Sequence, residues 1–315
     1  MQAIHQIGAN NSGFDKFLTL RFYKTFVRPV FEYGLSIINT TKKTFKLLEK
    51  AQDNAIRKIF HGHATSSTQA IKHMNKIATM EERKMVLQAK NIYRTFQLPN
   101  TTLIYTMLRQ VITTRDTHFK KLQKRNEIWQ SLPLPPANSR TLPIFITEKL
   151  LREAINKYLK KNMIQKQCEQ FYVGMCRSNI ANDPIMYLPM HNFERSRIIR
   201  WRMGWLPGRP TTCKNCDTTL NNNTTRNHLT QCLKLHQILQ VPIIVTSPID
   251  YILNQLPTKQ TSNRIKQNYF IQKWIQITKI FNKIETLCHT TEDEMNPDPE
   301  DISPLIHWLK PPTAN

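Results

Sequence analysis

The chain has 315 residues, enough for about two domains that each bury a hydrophobic core. It carries 45 Lys and Arg against 22 Asp and Glu, and the net charge of +23 favours a polyanionic partner, with nucleic acid as the leading candidate. The seven glycines form no phosphate-binding motif, which excludes dinucleotide-binding and P-loop folds, and 18 prolines favour helices joined by proline-containing connectors. We therefore predict a mainly α fold.

Helical periodicity dominates the N-terminal part of the chain. Apolar residues recur at steps of three and four over residues 14–31, and Pro29 should kink or interrupt that helix. A second helix is predicted over residues 43–60. Thr79 and Glu82 have the spacing of a capping box, in which each side chain satisfies a free backbone N–H of the other, so a third helix should begin there.

The C-terminal part repeats this pattern less regularly. The proline-rich residues 131–137 read as a connector, Thr147 can cap a long helix to about Phe171, and Ser262 can cap another to about Leu287. Six acidic residues then cluster between 292 and 301, which indicates either a solvated disordered tail or an inhibitory mimic of nucleic acid.

Changes in composition, charge and helical pattern divide the chain into four regions. We predict a helical bundle over 1–97, a helical linker region over 98–190, a basic Trp/Arg segment with a metal motif over 191–240, and a C-terminal helix with an acidic tail over 241–315.

Four residues have the spacing of metal ligands. Cys213, Cys216, His228 and Cys232 read C-x2-C-x11-H-x3-C, and three thiolates with one imidazole suit Zn²⁺. Four protein ligands leave no open position, so such a zinc site is structural. His236 is a second choice as ligand in place of Cys232 or His228, and unrelated buried thiols are the competing interpretation.

The other cysteines, Cys168, Cys176 and Cys288, have no ligand spacing and read as ordinary thiols. The scattered set does not resemble a disulfide framework, which favours a reducing compartment. No apolar run approaches the roughly 18 residues of a membrane span, and the N-terminus has no signal pattern. We expect a soluble intracellular protein, nuclear or cytoplasmic, with no membrane partner.

A basic aromatic segment precedes the metal motif. Arginines can bind phosphates and tryptophans can stack on bases, a combination that single-stranded nucleic acid binding uses. The alternative is that the two tryptophans anchor the core while the arginines only solvate the surface. The predicted nucleic-acid contacts are Arg195, Arg197, Arg200, Trp201, Arg202, Trp205, Arg209 and Lys214.

Catalytic motifs are absent from the sequence. A two-metal polymerase needs neighbouring carboxylates to hold its cations, and no two aspartates are adjacent here. We assign no catalytic residue and expect no polymerase activity from the chain alone.

Two segments resemble one family. Residues 23–34 have the form Y-K-x-x-V-R-P-x-x-E-Y-G, which resembles the segment after the catalytic palm in reverse transcriptases of non-LTR (LINE-type) retrotransposons. Residues 49–52 and 57–60 extend the resemblance, which covers about 1–97. The Arg-Trp-Arg-x-Gly-Trp-Leu-Pro run with the Cys-His group resembles the C-terminal zinc knuckle of the same transposable elements.

The resemblance implies a thumb-like helical bundle that contacts a primer-template duplex, and a zinc motif that contacts RNA or DNA. Its palm, Asp-Asp motif and endonuclease have no counterpart, so it implies a non-catalytic C-terminal fragment whose partner is a palm encoded upstream. Arg28 and Glu32 match the thumb motif but could simply pair with each other, and Tyr33 and Gly34 read as packing residues. The alternatives are a protein-docking or domesticated zinc-binding module and a decayed element copy.

Overall fold

The structure is a computed structural model that describes residues 14–113, 117–134, 146–179, 181–208, 211–216, 223–289 and 302–310. The described chain is mainly helical and contains no strand, which confirms the predicted fold class. The one extended pairing within these residues is an antiparallel bridge between Thr212 and Asn223.

The chain divides into two compact units, each assembled from separate segments. Unit 1 comprises Met1–Phe14, Leu18–Ala55 and Ile77–Lys166; unit 2 comprises Asp15–Phe17, Ile56–Lys76 and Gln167–Asn315. The four-region division made from the sequence stays a prediction. Helices are numbered in chain order below.

The first ten helices and one π-helical turn extend to Gly174 and include all the described helices of unit 1. They are α1 (Lys16–Phe22), a π-helical turn (Tyr23–Val27), α2 (Arg28–Glu32), α3 (Lys42–Phe60), α4 (Gln69–Met74), α5 (Met80–Phe96), α6 (Leu103–Thr113), α7 (His118–Arg125), α8 (Glu127–Gln130), α9 (Glu148–Glu169) and α10 (Phe171–Gly174).

The core of unit 1 forms around α5 and α8. Trp129 is 2 % exposed and stacks on Phe96 with ring centroids 5.6 Å apart, while Phe119 meets Phe96 edge-on. Val86 and Ile92 belong to the same buried cluster because they share the inward face of α5. The apolar residues that recur with helical period along α5 therefore form part of the core.

Near Pro29 the chain stays helical, because the π-helical turn joins α1 to α2 without a break. Pro29 lies in the first turn of α2, where its missing N–H leaves no hydrogen bond unmade, and the π-helical turn just before it absorbs the change in helical register. Gln52, on α3, accepts a hydrogen bond from the Tyr23 hydroxyl at 3.1 Å and so fixes this turn.

Helix caps follow the sequence at two of three predicted positions. Thr79 and Glu82 form the predicted capping box. The Thr147 hydroxyl accepts the Leu150 N–H at 3.3 Å at the start of α9. The prediction for Ser262 is wrong by one residue. The side chain of Asn263 accepts the Lys266 N–H, in the first turn of the long helix that begins at Arg264.

Unit 2 contains α4, α10 and parts of α1, α3 and α9, together with the remaining helices. The remaining helices are a 3-10 turn (Pro184–Met186), α11 (Asn192–Arg202), α12 (Arg226–Cys232), α13 (Leu235–Ile238), α14 (Pro248–Gln255), α15 (Arg264–His289) and α16 (Pro304–Leu309).

The centre of unit 2 is the contact between α11 and α15. Trp201 on α11 is 1 % exposed and meets the ring of Phe281 on α15 edge-on, with centroids 5.9 Å apart. Trp274 is equally buried and donates its indole N–H to the Ser303 hydroxyl at 3.0 Å, which fastens α16 to α15. Large aromatic side chains thus hold together the helices that flank the metal motif.

Candidate metal centre and the arginine segment

The four predicted metal ligands lie together in unit 2. One ligand atom from each of Cys213, Cys216, His228 and Cys232 lies within 4.8 Å of all the others. Within the described residues this is the one grouping of three or more Cys, His, Asp or Glu side chains that could hold a metal ion. The residues that the spacing selects are therefore close enough to bind one.

Distances within the group suit a tetrahedral ion. The sulfurs of Cys213 and Cys232 are 3.8 Å apart, and those of Cys216 and Cys232 are 3.4 Å apart. Nε2 of His228 lies 3.5 Å from the Cys216 sulfur. Ligands about 2.3 Å from a central ion at tetrahedral angles are separated by roughly 3.8 Å. The separations also exceed the roughly 2.05 Å of a disulfide bond, so the thiols are free to act as ligands.

The chain fixes both halves of this group. His228 and Cys232 lie one turn apart on α12, whose first turn is capped by Thr225 through the His228 N–H at 3.2 Å. On the other side, the Thr224 N–H donates to the Thr211 carbonyl at 2.7 Å. The strand-like pair thereby closes the segment that carries the two knuckle cysteines.

Neighbouring groups favour negative charge on one thiol. Burial works to raise the pKa of Cys232, but hydrogen bonds from Asn215, Cys216 and Cys213 outweigh it and lower that pKa, and the positive charge of Lys283 adds to the lowering. The amide of Asn215 donates to the Cys232 sulfur at 3.2 Å. Such contacts orient and stabilise a thiolate ligand.

The other candidate ligands lie elsewhere. Nδ1 of His236 faces the Val241 carbonyl at 3.3 Å, and His236 is not among the four clustered residues. Cys176 is buried and donates to the Tyr172 carbonyl, and burial raises its pKa to about 11. It behaves as a core thiol.

The arginines at the start of the segment point inward. Arg195 is 8 % exposed and donates to the carbonyls of Ile185 and Leu188 at 2.9 Å each. These bonds tie α11 to the loop after the 3-10 turn. Arg195 therefore serves the fold in this structure and offers little surface to a ligand.

A buried charge network lies under the metal helix. Arg202 pairs with Asp250 at 2.7 Å, with their side chains 0 % and 3 % exposed. The Trp201 indole donates to the same carboxylate at 3.1 Å. Arg226, the first residue of α12, lies 3.6 Å from Asp250 and has its guanidinium 4.0 Å from the Trp201 ring centroid. Trp201 is thus a core anchor, the second of the two roles considered for it.

A close contact with Tyr172 explains the glycine of the Arg-Trp-Arg-x-Gly-Trp run. Gly204 has φ of +74°, and a β-carbon there would lie 2.3 Å from the Tyr172 ring. Only glycine fits this turn without strain or collision. The Arg-Trp-Arg-x-Gly-Trp run therefore carries a packing signal as well as charge.

Among the described arginines of the segment Arg200 reaches the surface most, since Arg197 is buried at 9 % exposed. Arg197 and Arg200 both bind the carboxylate of Glu285 on α15, and Trp205 lies beside Arg200 with a half-buried ring. Lys214 is exposed in the knuckle, whereas Arg209 falls outside the described residues.

Exposed lysines surround the metal centre, and all but Lys214 were missed from the sequence. Lys214 follows the first ligand, Lys234 comes two residues after the last, and Lys283 acts electrostatically on Cys232. Lys279 lies one turn before Lys283 on the same helix and is exposed as well. Lysines at these positions, two of them four apart on one helix face, are the signal that could have found this surface.

In unit 1 the Arg28–Glu32 pair forms as the alternative interpretation proposed. The two side chains are 2.8 Å apart and 9 % exposed each, and Arg83 binds Glu32 as well at 2.6 Å. The expectation that Tyr33 packs is wrong, because it is 92 % exposed. Gly34, at φ of +78°, turns the chain there and directs Tyr33 outward.

Comparison with protein-family models, with curated proteins and with solved structures finds no match for this chain. Among the described helices, none is long and apolar enough to cross a membrane.

Proposed function

We propose that this protein is a zinc-stabilised nucleic-acid-binding module. The observation that carries the proposal is the Cys3His group, whose ligand atoms fit a single tetrahedral ion. Three thiolates and one imidazole form a soft donor set that suits Zn²⁺, and four protein ligands leave no place for an activated water. The ion would hold the knuckle against α12.

The nucleic-acid part of the proposal rests on charge placement. The net charge of +23 has to be balanced by counterions or by a polyanion. Lys214, Lys234 and Lys283 are exposed beside the metal ligands, so a phosphate backbone could contact all of them where the ion fixes the surface. In this scheme the buried Arg195, Arg202 and Trp201 support the surface from below.

The resemblance to LINE-type reverse transcriptases supplies the biological setting. In this proposal the chain corresponds to the thumb and zinc-knuckle part, its partner is RNA or DNA together with a palm encoded upstream, and polymerisation belongs to that palm. No catalytic residue is assigned to this chain.

Fluorescence anisotropy with labelled single-stranded RNA and DNA tests the proposal. Replacing Lys214, Lys234 and Lys283 with alanine should weaken binding and reduce the slope of log affinity against log salt by up to about 2, at roughly 0.7 for each phosphate that is no longer neutralised. The matched control replaces three exposed lysines of α9, Lys157, Lys160 and Lys161, which removes the same charge elsewhere. Equal weakening in both triple variants, or no binding by the wild type, would contradict the proposal.

A protein-docking function is the second candidate, and one observation favours it. Phe26, Val30 and Tyr33 are 61 %, 72 % and 92 % exposed, and their spacing of four and three places them along one side of the helical segment. Val30→Asp should abolish binding of a polymerase palm fragment while leaving oligonucleotide affinity unchanged. Size-exclusion chromatography of the mixed proteins separates this function from the first.

A further inference from the structure

The carboxylate of Glu285 occupies a position in unit 2 that a phosphate could fill. We propose that Glu285 is an internal competitor, which phosphodiester groups of bound nucleic acid displace from Arg197 and Arg200. The inference rests on the proposed function, because it names the arginine site that the bound backbone would use and the residue that controls access to it.

The geometry is that of a forked anion site. Nε of Arg197 donates to one oxygen of Glu285, and Nη2 of Arg200 donates to the other. Two guanidinium groups therefore share one carboxylate, which leaves a net charge of about +1 at the site. Guanidinium forks match phosphate oxygens as well as they match carboxylate oxygens.

Aromatic rings hold both arginines independently of Glu285. The Arg197 guanidinium lies 5.2 Å from the Phe193 ring centroid, and that of Arg200 lies 6.0 Å from the ring of Trp205. Because these cation–π contacts remain when the carboxylate leaves, the forks keep their orientation for a new anion. Trp205 also offers a ring on which a base next to the bound phosphate could stack.

Exposure distinguishes this site from the other arginine pair. The side chains of Arg197, Arg200 and Glu285 are 11 %, 20 % and 26 % exposed. Arg202 and Asp250 are shut off from solvent. The Glu285 carboxylate can therefore rotate toward water without unfolding the unit.

The site belongs to the helix that borders the metal centre. Glu285 lies two residues after Lys283, whose charge acts on the Cys232 thiol. Both residues lie in the C-terminal half of α15, but residues two apart point to different sides of a helix, so a backbone that contacts Lys283 would cross α15 to reach Arg197 and Arg200. The tethered carboxylate of Glu285 competes strongly against a single free phosphate. A polyanion that other cations already hold presents its phosphates at high local concentration, and one of them can then displace the carboxylate. Glu285 would thus select polyanions over small phosphates.

Glu285→Gln tests the inference, because it keeps the shape of the side chain and removes its charge. The freed site should engage about one more phosphate, so log affinity for a labelled single-stranded oligonucleotide should fall more steeply with log salt by roughly 0.7. At about 0.1 M salt this corresponds to roughly a fivefold gain in affinity, relative to 1 M salt. The matched control is Glu148→Gln, which also breaks a glutamate–arginine pair and adds one unit of net charge, but at an exposed pair in unit 1.

The double variant Arg200→Gln with Glu285→Gln restores the wild-type net charge and should lose the gain. A Glu285→Gln protein that folds and retains its metal but binds no more tightly than Glu148→Gln would overturn the inference. If the wild type binds and Glu285→Gln shows no gain, this inference alone fails. If neither binds, the proposed function fails with it.

If Glu285→Gln does not fold, wild-type protein with ¹⁵N-labelled arginine provides the test. The Arg197 Nε–H resonance, identified by its absence from Arg197→Lys, should move when the oligonucleotide saturates the protein. An unchanged resonance would show that Glu285 stays in place and would overturn the inference.

Discussion

Replacing Asp250 with asparagine should destabilise unit 2 strongly. Its carboxylate pairs with Arg202, accepts the Trp201 indole N–H and accepts the Ser247 hydroxyl at 2.6 Å. Burial disfavours the charge on Arg202, but Asp250 outweighs that effect and raises the pKa of the guanidinium. Without the carboxylate, two largely buried arginines, Arg202 and Arg226, would have no counter-charge in this network.

Removing one partner of a buried ion pair costs about 3–5 kcal/mol, a large fraction of the roughly 5–15 kcal/mol that stabilises a typical domain. Glu148→Gln breaks the exposed pair with Arg152 and should cost only about 0–1 kcal/mol. Urea unfolding of metal-loaded protein, followed by tryptophan fluorescence, measures the difference, since four of the five tryptophans belong to unit 2. An Asp250→Asn protein within about 1 kcal/mol of the wild type would refute the reasoning.

Three further predictions concern single positions. Gly204→Ala should lower the free energy of unfolding by about 2–4 kcal/mol, because the new methyl group meets the Tyr172 ring and the backbone has positive φ. Calorimetry measures the lowered Tm, and a variant with wild-type stability would contradict the prediction. Trp129→Ala should cost about 3–5 kcal/mol of unit 1 stability in urea through the cavity it leaves, and a loss below about 1 kcal/mol would count against this core. Burial works to raise the pKa values of Glu82 and Glu285, but their cationic partners outweigh it and lower both below the ordinary 4.5. The stability that these two carboxylates provide is therefore complete above pH 4.5 and is lost as pH falls through their folded pKa values. The urea concentration at the unfolding midpoint should decrease below about pH 4.5. Midpoints that stay constant down to about pH 3 would contradict this prediction.

Much of the secondary structure could be predicted from local pattern. The period of apolar residues located α3, α5, α9 and α15, and side-chain chemistry located the Thr79 and Thr147 caps. These features depend on residues within one or two turns of each other, which is the range that sequence spacing describes.

The metal group was predictable for the same reason, since its spacing encodes a knuckle and a helical turn. The arginine segment was not. Arginine is ordinarily exposed, and its burial here depends on partners elsewhere in the chain, which are carboxylates or, for Arg195, backbone carbonyls. Asp250 and Glu285 between them pair with four arginines of unit 2. Both acids lie on other helices, far along the chain from α11, and no local sequence pattern predicts that pairing. The exposed lysines beside the ligands, other than Lys214, were overlooked because they are scattered in sequence and meet only in the fold.

The most direct test of the account compares oligonucleotide affinity of the same preparation before and after removal of its metal. Elemental analysis should find about one zinc per chain in the wild type and in Cys168→Ser, and none in Cys213→Ser. Removal of zinc by EDTA should then weaken binding and flatten its salt dependence, because the lysines around the knuckle lose their common support. Undiminished affinity in the demetallated protein, with no zinc detected, would contradict the claim that the metal organises the binding surface.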